Sequence, residues 1–308
     1  MTLANNDLIN KMLKPGKQQQ IIALWSVVCL LGTIQATKRQ KYFVDFDILL
    51  IEVAYMKDKF IESAKEVLGR AQHILVLSGA GLSTEAGIPD FRSKNGLYSL
   101  DYHGYNPETI LSHSFYIDHT ELFYDYLRTR LNFAGILPDE SYLLLAKLEA
   151  AGKTFAVLTQ NIDSLHLAAG SSNVIELHGS LDRFYCDQCG RTYPARAVMK
   201  PDGPIRCTCG GTIRPDVVLF DEDVPKIADA WVAAEQSDVL LVLGTSLLVY
   251  PVAHIPQLFL ESKKPVIIIN RDPTPFSLNS NVIEINGEIS TTLKKLFPDY
   301  FEAEPEEY

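Results

Sequence analysis

Four of the five cysteines fall close together, as Cys186-Asp-Gln-Cys189 and, after 17 intervening residues, Cys207-Thr-Cys209. Four thiolates close a tetrahedral Zn²⁺ shell at about 2.3 Å each, and cysteines paired on tight turns supply two sulfurs apiece. Gly190 after the first pair and Gly210-Gly211 after the second give such knuckles backbone freedom. The single residue between Cys207 and Cys209 makes that loop tighter than the usual C-x₂-C. Buried free thiols and a redox C-x-x-C are the alternatives, and the ribbon-like spacing favours zinc. A shell filled by protein leaves no position for water or substrate, so one structural Zn²⁺ per chain is expected. Disulfide frameworks spread along short secreted chains, so the clustering also points to a reducing compartment.

The second constellation follows the apolar run Ile74-Leu75-Val76-Leu77 and reads "GAGLSTEAGIPDFRS". A strand running into Gly79-Ala80-Gly81 is a phosphate-style turn whose backbone N–H groups suit an anion. A dinucleotide fingerprint places its third glycine three residues on, whereas here it is Gly87, six residues after Gly81. Three further polar segments follow apolar runs: "TQNIDSLHLAAG" from Thr159, "ELHGS" from Glu176 and "GTSLLVYP" from Gly244. Gly244, Thr245 and Ser246 can serve phosphates, and Arg92 can pair with one by charge. Asn161 and Asp163 offer a donor and acceptors to an amide. His178 is a candidate base near neutral pH; a buried structural histidine is the equal alternative. Several such loops at strand ends imply one extended polar ligand.

The elements that must position these loops alternate. A helical stripe over Lys57–Leu68 ends at Gly69, and Ile74–Leu77 reads as a strand buried on both faces. A helix over Ser141–Ala151 stops at Gly152 before the strand Phe155–Thr159. Val174–Leu177, Val239–Leu243, Val266–Ile269 and Val282–Ile285 complete a set of short β-branched runs. This pattern predicts an α/β fold with a doubly wound parallel sheet. Aromatic-rich, helical Lys94–Leu137 and cysteine-bearing Arg183–Arg214 break the rhythm, so both are expected to form a smaller lobe.

With 38 acidic against 28 basic residues, the net charge of −10 argues against a nucleic-acid partner, which needs clustered Lys and Arg. Ile21–Ile34 is apolar over 14 residues, short of the roughly 20 that a membrane span needs. No membrane association is expected unless that segment is an anchor. Residues 1–55 read as an N-terminal extension, dispensable for folding, ahead of a complete domain starting at Met56. Residues 301–308 read as a solvated acidic tail.

"GAGLSTEAGIPDFR", "TQNIDSLH", "ELHG", the paired cysteines and "GTSL" occur in the order found in the sirtuin family, the NAD-dependent protein-lysine deacylases, and the chain resembles a bacterial-type zinc-containing member over about residues 57–296. The resemblance implies a Rossmann-like domain built from about residues 56–93, 138–182 and 215–300 within a catalytic domain ending near residue 300. It implies a helical insertion at about 94–137 and a zinc ribbon at about 183–214. NAD would lie between the lobes and be consumed as a co-substrate, with acyl-lysine proteins or peptides entering from the other side. Gly79, Ala80, Gly81 and Thr84 would take the phosphate side, and Asp90, Phe91 and Arg92 the neighbourhood of the reacting ribose. Gln160 would contact a ribose, and Ile162 and Asp163 the nicotinamide. Gly244, Thr245, Ser246, Asn270 and Ile289 would serve the adenosine half. His178 and Asn161 would be catalytic, with His178 taking a proton from the ribose hydroxyls after the acyl oxygen has displaced nicotinamide. The products would be nicotinamide, free lysine and 2′-O-acyl-ADP-ribose.

"RPDVVLFDE" matches the family's peptide-binding segment, with Val218 as backbone acceptor and Phe220 beside it; an ordinary core strand over Val217–Phe220 is the alternative. Family members that remove succinyl or malonyl groups carry Tyr-x-x-Arg, whereas here Tyr124 is followed by Leu127. A buried acidic acyl chain would lack a cation, so neutral acyl groups, acetyl first, are expected. ADP-ribosyl transfer to a side chain and a non-catalytic NAD sensor are rival readings on the same scaffold. Need for NAD and reduced thiols implies a cytoplasmic location.

Overall fold

A computed structural model describes residues 43–94 and 96–301, with residues 43–54 described as helical backbone only. The apolar run Ile21–Ile34, Cys29 and the acidic tail beyond residue 301 lie outside the described residues. In chain order the elements are helix α1 (Phe43–Arg70), strand β1 (Ile74–Ser78), helices α2 (Pro107–Ile110), α3 (His113–Asp118), α4 (Thr120–Arg130) and α5 (Glu140–Ala150), strand β2 (Thr154–Thr159), helix α6 (Leu165–Ala168), strands β3 (Val174–Glu176), β4 (Gly179–Cys186) and β5 (Thr192–Pro194), helix α7 (Ala195–Val198) and strand β6 (Ile213–Val217). There follow helix α8 (Ile227–Gln236), strand β7 (Val239–Leu243), helix α9 (Ile255–Glu261), strands β8 (Val266–Asn270) and β9 (Val282–Asn286), and helix α10 (Ile289–Leu296).

Six strands form one sheet in the order β3-β2-β1-β7-β8-β9, every pair parallel. All five residues of β1 and of β7 are buried, because a strand covered by helices on both faces needs apolar side chains in both directions. Odd-numbered and even-numbered positions of β1 accordingly serve different cores. Val76 packs with Leu68, Leu145 and Leu293 on one side; Leu75 and Leu77 pack with Ala230, Ile255 and Phe259 on the other. The strand order reverses direction between β1 and β7, which is where a doubly wound sheet opens a crevice beyond its carboxyl ends. The expected strands are all present, each within a residue or two of its expected limits.

The smaller lobe is built as two modules. The first carries α2, α3 and α4, whose Ile110, Phe115, Tyr116, Phe123 and Leu127 are buried together. The second is a three-stranded antiparallel sheet, β5-β4-β6, which starts at Gly179, ahead of the expected Arg183. Phe184 and Ile213 from this sheet enter the same core as the helices, so the modules share one apolar interior. The first helix also departs from expectation. The stripe over Lys57–Leu68 belongs to a helix already running at Phe43, which crosses the boundary drawn at Met56. No helix among the described residues is long and apolar enough to cross a membrane.

Candidate active site

A cavity of about 960 Å³ occupies the crevice between the sheet's carboxyl ends and the smaller lobe. Gly79, Ala80, Gly81, Thr84, Asp90, Phe91, Arg92, Gln160, Asn161, Ile162, His178, Val218, Phe220, Gly244, Thr245, Ser246, Asn270 and Ile289 all line it. Residues up to 210 positions apart in sequence are thus gathered around one cavity. Asp163 is the exception: it lies just behind the lining, its Oδ2 accepting from Ser83 Oγ at 2.7 Å and its Oδ1 from the Leu165 N–H at 3.0 Å. Burial raises its pKa above the ordinary carboxylate value.

The glycines of the first loop have a different duty from the one their pattern suggests. Gly79 N–H donates to the Leu243 carbonyl at 2.9 Å and Gly81 N–H to the Gly244 carbonyl at 2.8 Å. A Cβ on Gly81 would stand 2.8 Å from Gly244 Cα, and one on Gly244 would stand 2.3 Å from the Leu82 nitrogen. The β1 and β7 loops therefore touch backbone to backbone, and both contact points require glycine. Of the three N–H groups expected to face an anion, two are committed to this crossing. The Ala80 N–H has no protein partner among the described residues, and the same holds for Thr245 and Ser246.

His178 sits between β3 and β4, where the chain leaves the large sheet for the small one. Its Nδ1 is 3.1 Å from the Gln160 carbonyl, which can only accept, so Nδ1 carries the proton and Nε2 is left as the basic nitrogen. Burial lowers the imidazole pKa below its ordinary value, and the Arg92 guanidinium pushes the same way. Gln160 is held in turn, its Nε2 donating to Thr245 Oγ1 at 2.9 Å. A neutral base, fixed in tautomer, thus faces the cavity.

Beyond His178 the chain runs antiparallel to the peptide-binding candidate. Val218 N–H donates to the His178 carbonyl at 3.0 Å, while Phe220 N–H donates to Leu111 and its carbonyl accepts from His113 N–H at 2.9 Å. The Val218 carbonyl has no partner among the described residues and remains free to accept. Glu222 clamps the end of this segment: its carboxylate takes Arg214 Nη1 at 2.9 Å, Arg214 Nη2 at 3.0 Å, the Leu219 N–H at 2.8 Å and His113 Nδ1 at 2.7 Å. Burial opposes ionisation there, but the Arg214 bond and the other donors win and bring its pKa down to about 2. Asp221, just before Glu222, adopts φ = 72°, the left-handed conformation that glycine takes without strain.

The smaller lobe supplies an apolar stretch of wall: Leu111, Phe123, Leu127, Leu131, Leu181 and Leu219. Leu127 lines the cavity, but Tyr124 does not, because its hydroxyl turns away to donate to the Ile213 carbonyl. Arg128 donates to the carbonyls of Val198, Pro201 and Gly203, and Arg130 lies over the Tyr102 ring. Neither cation reaches this wall.

The four cysteine sulfurs all lie within 4.8 Å of one another. Cys186 Sγ is 3.5 Å from Cys209 Sγ, and Cys189 Sγ is 3.7 Å from Cys207 Sγ. A tetrahedron with metal–sulfur bonds of about 2.3 Å has edges of about 3.8 Å, so the donor set and its spacing fit Zn²⁺. Tyr193 Oη, 3.1 Å from Cys207 Sγ, adds a donor suited to a thiolate. Sequence reasoning gave no individual role to Ser83, Tyr142, Arg214 or Glu222, although Ser83 lies in the first glycine-bearing loop and Arg214 and Glu222 end the peptide-binding segment; their roles depend on neighbours brought in by the fold.

The Sir2 family model matches residues 79–251. An NAD-dependent protein deacetylase of Clostridium acetobutylicum is 42% identical over 239 residues, which span 76% of this chain and 96% of the relative. A solved Sir2 with a p53 peptide and NAD⁺ superposes with a TM-score of 0.70 at 32% identity, over 79% of this chain and 99% of that one. Sir2Tm bound to a propionylated peptide gives 0.70 at 31% identity over the same shares. The match spans the strand loops, His178 and the cysteine knuckles together: the chain belongs to the Sir2 family.

Proposed function

We propose that this chain is an NAD-dependent protein-lysine deacetylase that transfers a neutral acyl group to ADP-ribose, releasing nicotinamide and 2′-O-acyl-ADP-ribose. The observation that carries the reading is His178: a base whose Nε2 is unprotonated, on a wall shared by the two glycine loops and the apolar side of the smaller lobe. The named activity of the Clostridium relative agrees with it. The free N–H groups of Ala80, Thr245 and Ser246 suit phosphate oxygens, Gln160 and Asn270 suit ribose hydroxyls, and Phe91 and Arg92 flank the reacting end. Asn161, Ile162 and Asp163 would serve the carboxamide and the ribose next to it. On the opposite side, the Val218 carbonyl would accept from the acyl-lysine N–H, with Phe220 beside it, as an extended peptide adds to the segment's exposed backbone. His178 would accept the ribose hydroxyl proton, and the crevice would hold two ligands in alignment while excluding water.

Leu127 and its apolar neighbours support neutral acyl groups, because a carboxylate buried against them would be paired by neither Arg128 nor Arg130. The four cysteines would hold one structural Zn²⁺, and thiolate ligands of this kind suit a reducing compartment such as the cytoplasm. The test incubates wild type and His178→Ala with NAD and acetyl-lysine peptide and follows nicotinamide and O-acetyl-ADP-ribose. Loss of a general base costs roughly 10²–10⁴ in rate, so His178→Ala should retain NAD binding and lose turnover by that order. Label from radioactive NAD transferred to protein, without O-acetyl-ADP-ribose, would replace the reading with ADP-ribosyl transfer. Faster turnover of succinyl-lysine than of acetyl-lysine would overturn the acyl assignment.

A further inference from the structure

Tyr142 lies on α5 with its ring fully buried, outside the cavity and beneath Asn161. Its hydroxyl is 2.7 Å from Ser83 Oγ and 3.1 Å from Asn161 Nδ2. Ser83 Oγ is 2.7 Å from Asp163 Oδ2 and 3.1 Å from Asn161 Nδ2. Asn161 Nδ2 also stands 3.1 Å from the Gly79 carbonyl.

Chemistry fixes the direction of these bonds. A carboxylate and a backbone carbonyl can only accept. Ser83 therefore gives its one proton to Asp163, Tyr142 gives its own to Ser83, and Asn161 donates to Tyr142. The Gly79 carbonyl settles the same point from the other side, since only the amide nitrogen can face it. Asn161 is thereby locked with Nδ2 toward the protein, leaving Oδ1, which has no protein partner among the described residues, as an acceptor at the cavity wall.

We propose that Tyr142 is a positioning residue for the dinucleotide: its hydroxyl, shared between Ser83 and Asn161, holds the Asn161 Oδ1 acceptor toward the ligand and, through Ser83, steadies the Asp163 carboxylate behind it. The group recognised is an O–H or N–H donor at the nicotinamide–ribose end. Tyr142 suits the task because burial raises its pKa far above neutrality, so it is a proton donor at every working pH. This inference rests on the NAD reading above.

Tyr142→Phe keeps the ring, which packs edge-on against His166 at 4.7 Å between centroids, and deletes only the hydroxyl. Without it Ser83 loses a donor and the Asn161 amide loses one of three acceptors that hold it. One net hydrogen bond is worth about 1 kcal/mol and tenfold in affinity is about 1.4 kcal/mol. NAD should bind Tyr142→Phe about fivefold more weakly by calorimetry, and the KM for NAD should rise while the KM for acetyl peptide stays put. A merely structural loss would reduce the fraction of active enzyme and lower kcat alone. Ser83→Ala should reproduce the NAD defect, and the double variant should cost no more than the larger single one, because both break the same relay. Unchanged NAD affinity in Tyr142→Phe, or additive losses in the double variant, would overturn the proposal. Wild type that binds NAD yet never deacetylates defeats the functional reading and leaves this comparison of affinities intact.

Discussion

His178 shows how a single residue is tuned by two neighbours of different kinds. The Gln160 carbonyl selects the tautomer, and burial beside Arg92 lowers the pKa. A base works in its neutral form, so activity should be level above this pKa and fall as pH drops through it. Because the shift is downward from 6.5, the acid limb of kcat/KM should lie below 6.5. A pH profile on acetyl peptide at saturating NAD checks this; a limb at or above 6.5 would show that burial and Arg92 do not govern the base. The glycines teach the opposite lesson at the same scale. Gly81 and Gly244 look like anion ligands in the sequence, yet each is demanded by the other's backbone. Their residue types were legible from the chain; their reason was not, since it depends on a contact between loops 163 positions apart.

At the scale of elements, β4 links the four-cysteine cluster to His178. It starts at Gly179, directly after His178, and ends at Cys186. Its antiparallel partner β6 leads into Val218 and the Glu222 clamp. Zinc would thus anchor both strands at the end remote from the chemistry. Metal analysis should find one Zn²⁺ per chain, and stripping it with a chelator should abolish turnover while leaving the parallel sheet folded by far-UV circular dichroism. A chain retaining full activity after complete metal removal would sink this coupling. The parallel strands were readable in the sequence because burial on both faces makes them continuous apolar runs, as in Val239–Leu243. β4 and β6 escaped notice because they are only half covered: Asp182 and Arg183 of β4 are exposed, and β6 carries Pro215 and Asp216. The cysteine spacing located the ribbon, but its first strand starts four residues earlier than the cysteines and turns suggested. The segment ending in Glu222 was singled out in the sequence, but the clamp itself was not legible, because Arg214 on β6 and His113 on α3 reach it from separate elements.

Across the whole molecule, the cavity wall at Asn161 and the centre of the large domain share a buried polar layer. His166 on α6 places Nε2 2.8 Å from Ser78 Oγ at the end of β1 and its ring against Tyr142. It therefore joins the central strand, α5 and the loop after β2, next to the relay that holds Asn161. Its Nδ1 is buried with no partner among the described residues, and burial drives the imidazole pKa down to about 3. In the unfolded chain the same group titrates near 6.5, so below that pH unfolding takes up a proton. The stability contributed by a neutral His166 is complete above 6.5 and is lost as pH falls from 6.5 toward 3. At pH 5 the loss reaches about 2 kcal/mol, a large part of a marginal total. His166→Gln cannot take up that proton. Urea unfolding from pH 7 to pH 5 should show wild type losing about 2 kcal/mol more than His166→Gln, whatever the absolute stability of the variant. Parallel losses in the two proteins would mean that His166 is already protonated in the fold, and the polar layer would then have to be arranged around an imidazolium instead.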